Sequence, residues 1–291
     1  MAIAVAGHFG NPVGLTTVAG NVGLSLTTAN ALTVCAVFHL ALPVHAGADR
    51  SLLGPAPDAA HIHGETGLDG PDHPAHDRAP ASDDAVGYIV ETVRENPGTW
   101  LVPVGPLTNV ALALRAAPDL VDHLGGISFM GGARTDGNVT PAAEFNFWAD
   151  PEAAAEVMAC GHPDMRMAGL QLTDQVQVDD AYLERVAAID TDRARWTHGL
   201  LDALLVNVAR ERGRRSSALH DPLAVLALVA PELIVSERYP VSVETAEGPD
   251  RGRSVVAPAG TELAGSSLVS VGMEANGAKI LDMLIEVLTD G

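Results

Sequence analysis

The sequence predicts an α/β fold: a mostly parallel sheet with helices on both faces and some antiparallel strands in its C-terminal third. The first observation is that short β-branched or aliphatic runs alternate with segments of helical periodicity. The second is that 291 residues, 47% of them hydrophobic, suffice for one large core. We therefore expect residues 1–291 to form a single domain. Its core is aliphatic, since aromatic residues make up only 4%.

The N-terminal elements follow from local signals. Residues 1–10 are typical of a helix interior and carry no helix-start signal. The segments Pro12–Val18 and Pro43–Ala46 are predicted strands. Between them we predict a helix over Ser25–Phe38, with Ser25 as its N-cap.

A long irregular stretch, Gly47–Asp84, comes next and is rich in His, Asp, Gly and Pro. Loops of this length in a compact domain are usually functional or disordered. We therefore expect a lid that is more mobile than the scaffold. A helix starting at Asp83 or Asp84 and stopped by Pro97 ends the stretch.

Strands and helices then alternate to the C-terminus. The predicted strands cover 100–104, 127–130, 165–170, 233–244, 254–257 and 268–273, and the helices cover 107–115, 152–159, 180–189, 191–212, 222–229 and 275–288. Ligands of such sheets bind outside the carboxyl ends of the strands. The polar clusters after Val18, Val104 and Met130 and before Pro222 are therefore expected to converge.

Composition excludes several classes of protein. The net charge of −20 disfavours binding to nucleic acid and to anionic membranes. Two cysteines, Cys35 and Cys160, cannot form a disulfide framework or a four-cysteine zinc site. The first 48 residues contain no Asp, Glu, Lys or Arg, so a positive signal-peptide region is missing, and the apolar run Ala31–Val44 is too short to cross a bilayer. We expect a cytoplasmic protein.

Two candidate site segments lie in the first quarter of the chain. Asn21 follows the first predicted strand, where its amide suits a sugar hydroxyl, although on this evidence alone a turn-forming Asn is the favoured interpretation. His63 lies in the long loop, either as an acid–base or base-contacting residue of a lid or as part of a solvated loop. A metal site built with His61, His73 and His76 is a third interpretation, but the spacing matches no zinc motif.

A third segment combines Asn138, Glu144 and Asn146 between Gly131–Gly132 and the next helix. A buried, unpaired Glu is unfavourable, so Glu144 needs a partner, which a polyol ligand would supply. A well-paired structural loop is the alternative. In the fourth segment Asp221 precedes a proline, which is typical of a helix N-cap, and the neighbouring His220 leaves open a metal or catalytic role.

Taken together, these segments resemble one family. The runs VGLTTVAGNV, HGETGL, VPVGPLTNVALAL, FMGGA, GNVTPAAEFNFWADPEAA and HDPLAV occur in the order found in nucleoside hydrolases of the inosine–uridine-preferring type. The resemblance extends from about Val13 to the C-terminus. It implies hydrolysis of the N-glycosidic bond of a ribonucleoside to ribose and free base, a small-molecule nucleoside as partner and a homodimer or homotetramer.

The resemblance also implies residue roles on the sugar side. Asn21 would contact the ribose hydroxyls, and Asn138, Glu144 and Asn146 would hold the sugar, the last two near its 5′ hydroxyl. A calcium ion would bind the attacking water and the 2′ and 3′ hydroxyls, which suits a hard cation with oxygen ligands.

Further roles concern the metal and the base. By the same resemblance, Asp221 and the backbone carbonyl of Val104 would be calcium ligands. His220 would lie on the leaving-base side as general acid, and His63 would reach the base from the loop. No aromatic pair suited to purine stacking is evident, so the choice between purine and pyrimidine stays open.

One feature of the family pattern is missing. In the family an N-terminal strand precedes a D-x-D-x-G-x-D-D motif, whereas here Met1–Ala4 match the residues that follow that motif. Either the start is assigned too late or the chain is truncated. Without those aspartates we expect weak or absent calcium binding and slow hydrolysis. The alternative functions are a catalytically impaired nucleoside- or ribose-binding protein and a metal-binding module centred on the histidine-rich loop.

Overall fold

The computed structural model describes residues 1–55 and 59–289, except for the side chain of His61. The strands within these residues are β1 Leu15–Thr17, β2 Val44–Ala46, β3 Trp100–Leu101, β4 Gly126–Met130, β5 Met165–Ala168, β6 Gln177–Val178, β7 Ser217–Ala218, β8 Ile234–Val243, β9 Ser254–Val256 and β10 Ser267–Ala275. The helices are α1 Ala2–Phe9, α2 Leu24–Val37, α3 Ala60–His63, α4 Ala85–Glu95, α5 Thr108–Ala116, α6 Leu120–His123, α7 Phe145–Ala149, α8 Pro151–Met158, α9 Leu170–Thr173, α10 Asp180–Ala187, α11 Asp192–Arg212, α12 Pro222–Val229 and α13 Gly277–Thr289.

The main sheet has the strand order β3-β4-β5-β10-β8-β9. Its first four strands are mutually parallel, whereas β8 and β9 run antiparallel to their neighbours. Strands β1 and β2 form a separate parallel pair, and β6 and β7 an antiparallel pair. The predicted fold class is confirmed, including the antiparallel strands in the C-terminal third.

The N-termini of three helices can be compared with the caps predicted from the sequence. Helix α1 begins without a side-chain cap, as the helix-interior pattern of residues 1–10 predicted. Asp84 caps α4 by accepting from the N–H of Gly87. The prediction of Ser25 as a cap is wrong: α2 begins one residue earlier, because Gly23 takes the extended backbone at the boundary.

The wholly apolar α12 occupies the centre of the larger core. It packs on β4 and β5 on one side and on α1 on the other. The hydroxyl of Ser128 in β4 donates to the carbonyl of Ala224 at 2.6 Å. A helix that is hydrophobic all round is expected to be buried in this way, and its position brings the preceding residues to the carboxyl ends of the central strands.

Among its described residues, the predicted lid contains one short helix, α3, and hydrogen bonds join it to neighbouring helices. Nδ2 of Asn30 in α2 donates to the carbonyl of Thr66 at 2.8 Å, and Nδ2 of Asn207 in α11 donates to that of Ile62 at 3.2 Å. Greater mobility of this loop stays a prediction, and residues 56–58 of it lie outside the described part. In the described part of the chain, no helix is long and apolar enough to cross a membrane.

Candidate functional site

Glu144 lies at the carboxyl end of β4 and is only 2% exposed. It is the N-cap of α7, and its carboxyl accepts three backbone hydrogen bonds. Oε1 accepts from the N–H of Asn146 at 2.9 Å, and Oε2 accepts from those of Gly132 at 2.9 Å and Phe147 at 3.2 Å. The sequence predicted that a buried Glu144 needs a polar partner, and in the structure three backbone N–H groups are that partner.

The glycine pair after β4 allows this close approach. Gly132 has a φ of +70°, and a Cβ there would lie 2.8 Å from Cε of Met167 and 2.9 Å from Oγ of Ser254. A Cβ on Gly131 would lie 2.8 Å from the ring of Phe147. A side chain at either position would require these neighbouring side chains to shift.

Burial raises the pKa of Glu144 to about 7. The three N–H groups act in the opposite direction, whereas the neighbouring carboxylate of Asp221 raises the pKa further. Glu144 therefore changes protonation near neutral pH. A carboxyl in this state can both accept from and donate to a sugar hydroxyl.

The two asparagines of the same segment differ in burial: Asn146 is buried and Asn138 is exposed. Asn146 is 5% exposed, and its Nδ2 donates to the carbonyl of Met130 at 2.9 Å. Asn138 is exposed, and its Oδ1 accepts from the N–H of Phe145 at 2.9 Å. Each side chain thus uses one polar group to fix the segment around Glu144 and retains the other.

His220 is partly buried and pairs with Thr173 at the end of α9, whose hydroxyl lies 2.7 Å from Nδ1 of the ring. Burial lowers the pKa of His220 to about 4, and the charge of Arg212 acts in the same direction. The ring is therefore neutral around pH 7. A general acid with this pKa would be protonated in only a small fraction of molecules.

Asp221 corrects the interpretation from sequence. The expectation that it caps α12 is wrong, because its own backbone is already helical, at φ −60° and ψ −39°, and its side chain forms no cap hydrogen bond. The carboxyl is thus left for another partner. Burial raises its pKa to about 6, opposed by the amino group of Met1.

Two further predicted residues, Val104 and Asn21, each follow a strand. Val104 follows β3, and the carbonyl of the preceding Pro103 accepts from the N–H of Met130 at 3.0 Å, which places Val104 beside the end of β4. Asn21 lies in the bend after β1, and its carbonyl accepts from the N–H of Ala59 at 2.9 Å. Among the described residues no hydrogen bond joins Asn21 to the cluster.

In the described part of the histidine-rich loop, His73 and His76 contact different helices. His63 ends α3, which packs on α11. Nδ1 of His73 accepts from Nε1 of Trp196 at 3.3 Å, whereas Nε2 of His76 lies 3.3 Å from the hydroxyl of Thr33 in α2. The side chain of His61 lies outside the described part of the chain.

The residues present do not fit a complete calcium site. Residues 1–55 and 59–289 contain no group of three or more His, Cys, Asp and Glu side chains that could hold a metal ion. Asp221 and the Val104 carbonyl would supply two oxygens, and the carboxylate of Glu144 already accepts three N–H groups. Calcium takes six to eight oxygen ligands.

Asp150 caps α8, as the sequence predicts, and the structure gives it further partners that the sequence did not indicate. Asp150 is fully buried and accepts from the Thr108 hydroxyl at 2.7 Å and from the N–H groups of Leu52 at 2.9 Å and Ala153 at 3.1 Å. It thereby joins the base of the loop to α5 and α8. Thr108 and Asp150 lie in quoted motifs, but their partners are 42 residues apart and only the fold pairs them.

The known proteins to which this chain is similar are nucleoside hydrolases. The family model described as inosine-uridine preferring nucleoside hydrolase matches residues 1–282. The chain is 37% identical over 244 residues to the pyrimidine-specific ribonucleoside hydrolase RihB of Escherichia coli, an alignment covering 84% of this chain and 78% of that protein.

Two solved structures have the same fold. The plant nucleoside hydrolase PpNRh1 superposes with a TM-score of 0.89 and 29% identity, covering 100% of this chain and 95% of that one. The purine-preferring ribonucleoside hydrolase from Gardnerella vaginalis gives 0.90 and 27%, covering 99% and 93%. The resemblance seen in the motifs is confirmed, and the chain belongs to the inosine-uridine preferring nucleoside hydrolase family.

Proposed function

We propose that this chain hydrolyses the N-glycosidic bond of pyrimidine ribonucleosides, releasing ribose and the free base. One observation carries the proposal: the carboxyl of Asp221 lies close enough to the buried carboxyl of Glu144 to raise the pKa of Glu144. The two residues lie 77 positions apart in the sequence, so the fold brings them together. The 37% identity to a pyrimidine-specific ribonucleoside hydrolase favours pyrimidine substrates.

The sugar is bound by the polar groups at the end of β4. Glu144 and Asn146 hold the 5′ side of the ribose, and Asn138 contributes its free amide donor. Asn21 contacts the sugar hydroxyls from the bend after β1. Glu144 is held by three N–H groups before substrate arrives, so little ordering entropy is lost on binding.

Asp221 orients the attacking water. It has no cap hydrogen bond, so its carboxylate is available to accept from water and to direct the oxygen at C1′ of the ribose. Asp221 and the Val104 carbonyl stay the proposed calcium ligands by resemblance to the family. No step above passes through a metal ion, because the described residues do not complete a site for one.

The base departs on the side of His220, with His63 reaching it from α3. We further propose a homodimer or homotetramer in the cytoplasm, with a small-molecule nucleoside and no nucleic acid as its partner. The net charge of −20 is consistent with a ligand that carries no phosphate.

A reducing-sugar assay tests the function directly. Purified chain is incubated with uridine, cytidine and inosine, and release of ribose and base is measured. We expect uridine and cytidine to be cleaved faster than inosine. Asp221→Asn should lower kcat by about 10²–10⁴-fold.

Asp179→Asn is the matched control, since Asp179 is an exposed N-cap of α10 and should leave kcat unchanged. Nucleoside binding by calorimetry without release of ribose would instead establish the impaired binding protein.

A further inference from the structure

The hydrogen bond between Thr173 and His220 joins two parts of the fold that are 47 residues apart. Thr173 is the last residue of α9, which follows β5, and His220 precedes α12. Oγ1 lies 2.7 Å from Nδ1. Thr173 is fully buried, with an exposed fraction of 0%, so bulk water does not compete for its hydroxyl.

The geometry gives this hydrogen bond a direction. The other acceptor near the hydroxyl is the carbonyl of Leu170 at 3.5 Å, which exceeds the usual O–H···O range of about 2.5–3.0 Å. Leaving a buried hydroxyl without an acceptor costs about 1–3 kcal/mol. Thr173 therefore donates to Nδ1 of His220. A nitrogen that accepts this bond carries no proton, so the ring proton lies on Nε2.

Nε2 of His220 is the nitrogen that stays available. Among the described residues it forms no hydrogen bond, and it does not belong to the buried side-chain atoms that lack a partner. The fold thus presents an N–H donor of fixed tautomer next to Asp221.

We propose that Thr173 is a positioning residue: it orients His220 and selects the Nε2–H tautomer, so that His220 donates a hydrogen bond to the departing base. This inference rests on the proposed function, since it assigns a role within the same site. Thr173 acts only through His220.

The chemistry balances without a protonated histidine. The bond between C1′ and the base nitrogen breaks, and its electron pair moves onto the base. Water adds its oxygen to C1′ and releases one proton to solvent, and the base anion takes one proton from solvent. His220 keeps its proton and stabilises the negative charge on the base by hydrogen bonding, as preorganised donors do at developing anions.

Two substrates separate this role from a structural one. Uridine has a poor leaving group that needs the donor, whereas 4-nitrophenyl riboside releases a stable anion that does not. Thr173→Val removes the hydroxyl at nearly constant volume and Thr173→Ser retains it. Thr197→Val is the matched control, because Thr197 is also fully buried but its hydroxyl has no hydrogen-bond partner among the described residues.

We expect Thr173→Val to lower kcat for uridine by about 10- to 100-fold, with little change in KM and with unchanged cleavage of the nitrophenyl riboside. Thr173→Ser should restore cleavage of uridine, and Thr197→Val should behave like the native protein. Equal losses on the two substrates, or no loss on uridine, would overturn the proposal.

Nitrogen NMR of the ¹⁵N-histidine-labelled protein near neutral pH gives a readout independent of turnover. The native spectrum should show His220 with a protonated Nε2 and an unprotonated Nδ1, and Thr173→Val should lose this preference. A protonated Nδ1 in the native protein would refute the role of Thr173. If neither riboside is cleaved by the native protein, the proposed function fails, and the NMR spectrum still decides whether Thr173 sets the ring proton.

Discussion

The backbone N–H of Gly132 donates to Oε2 of Glu144 over 2.9 Å, and Gly132 makes this contact at a φ of +70°, which favours glycine. Gly132→Ala should destabilise the fold by about 2–4 kcal/mol. About 1–2 kcal/mol of this comes from the φ of +70°, and the rest from the clash of the new Cβ with Met167 and Ser254. Urea unfolding measures the loss.

Gly161→Ala separates the two contributions to the Gly132 effect. Gly161 has a φ of +75°, but a Cβ there would have no atom within 4 Å. The free energy of unfolding of this control should therefore fall only by the cost of the positive φ, about 1–2 kcal/mol. Equal losses for the two variants would show that the packing around Glu144 tolerates a methyl group.

The pKa of Glu144 makes stability depend on pH. Its value of about 7 in the folded protein lies above the ordinary value of 4.5, so between these pH values the folded state holds a proton that the unfolded state has lost. The free energy of unfolding should therefore fall as pH rises from about 4.5 to 7, by up to about 3 kcal/mol, and level off above 7.

Glu144→Gln isolates this effect, because Gln does not titrate. Urea unfolding of the variant across the same pH range should give a flatter curve at a lower overall level, since the Gln amide places N–H donors against backbone N–H groups. Asp221, whose pKa is raised to about 6, contributes a smaller slope of the same sign in both proteins. Parallel curves for the two proteins would refute the raised pKa of Glu144.

The hydrogen bonds of Asp150 predict a structural rather than a chemical role. Asp150→Ala leaves the buried Thr108 hydroxyl and the partly buried N–H of Leu52 without acceptors, which should lower the free energy of unfolding by about 3–5 kcal/mol. Asp179→Ala should lose only about 1 kcal/mol, because this exposed cap accepts from Tyr182 alone. Similar losses for the two variants would contradict this network.

Periodicity and turn residues predicted most of the fold, because they act within a few residues. The alternating elements and the cap at Asp84 needed no tertiary information. Ser25 was misassigned because Ser25 and Gly23 both lie where a helix can begin, and only the extended backbone of Gly23 decides between them. Short helices such as α7 and α9 were missed because one turn shows no periodicity.

The candidate site was predictable in its residue types but not in its hydrogen bonds. A cap role for Asp221 followed from local preference, yet the helical backbone of this residue turns its carboxyl away from that role. Glu144 was expected to need a partner, and the three N–H groups that serve it became visible only in the folded chain. Thr173 gave no signal, since its contact with His220 is formed by distant segments.

Calcium affinity provides the last prediction. Affinity for this ion depends on the number of charged oxygen ligands, and the described residues contain no group of three or more His, Cys, Asp and Glu side chains that could hold it. Calorimetric titration with calcium chloride should therefore give a dissociation constant of about 1 mM or weaker. Asp221→Asn should abolish the residual heat, while Asp179→Asn, which alters an exposed cap remote in sequence, should preserve it. Micromolar binding by the native chain that survives in Asp221→Asn would show that calcium is held by carboxylates other than this one.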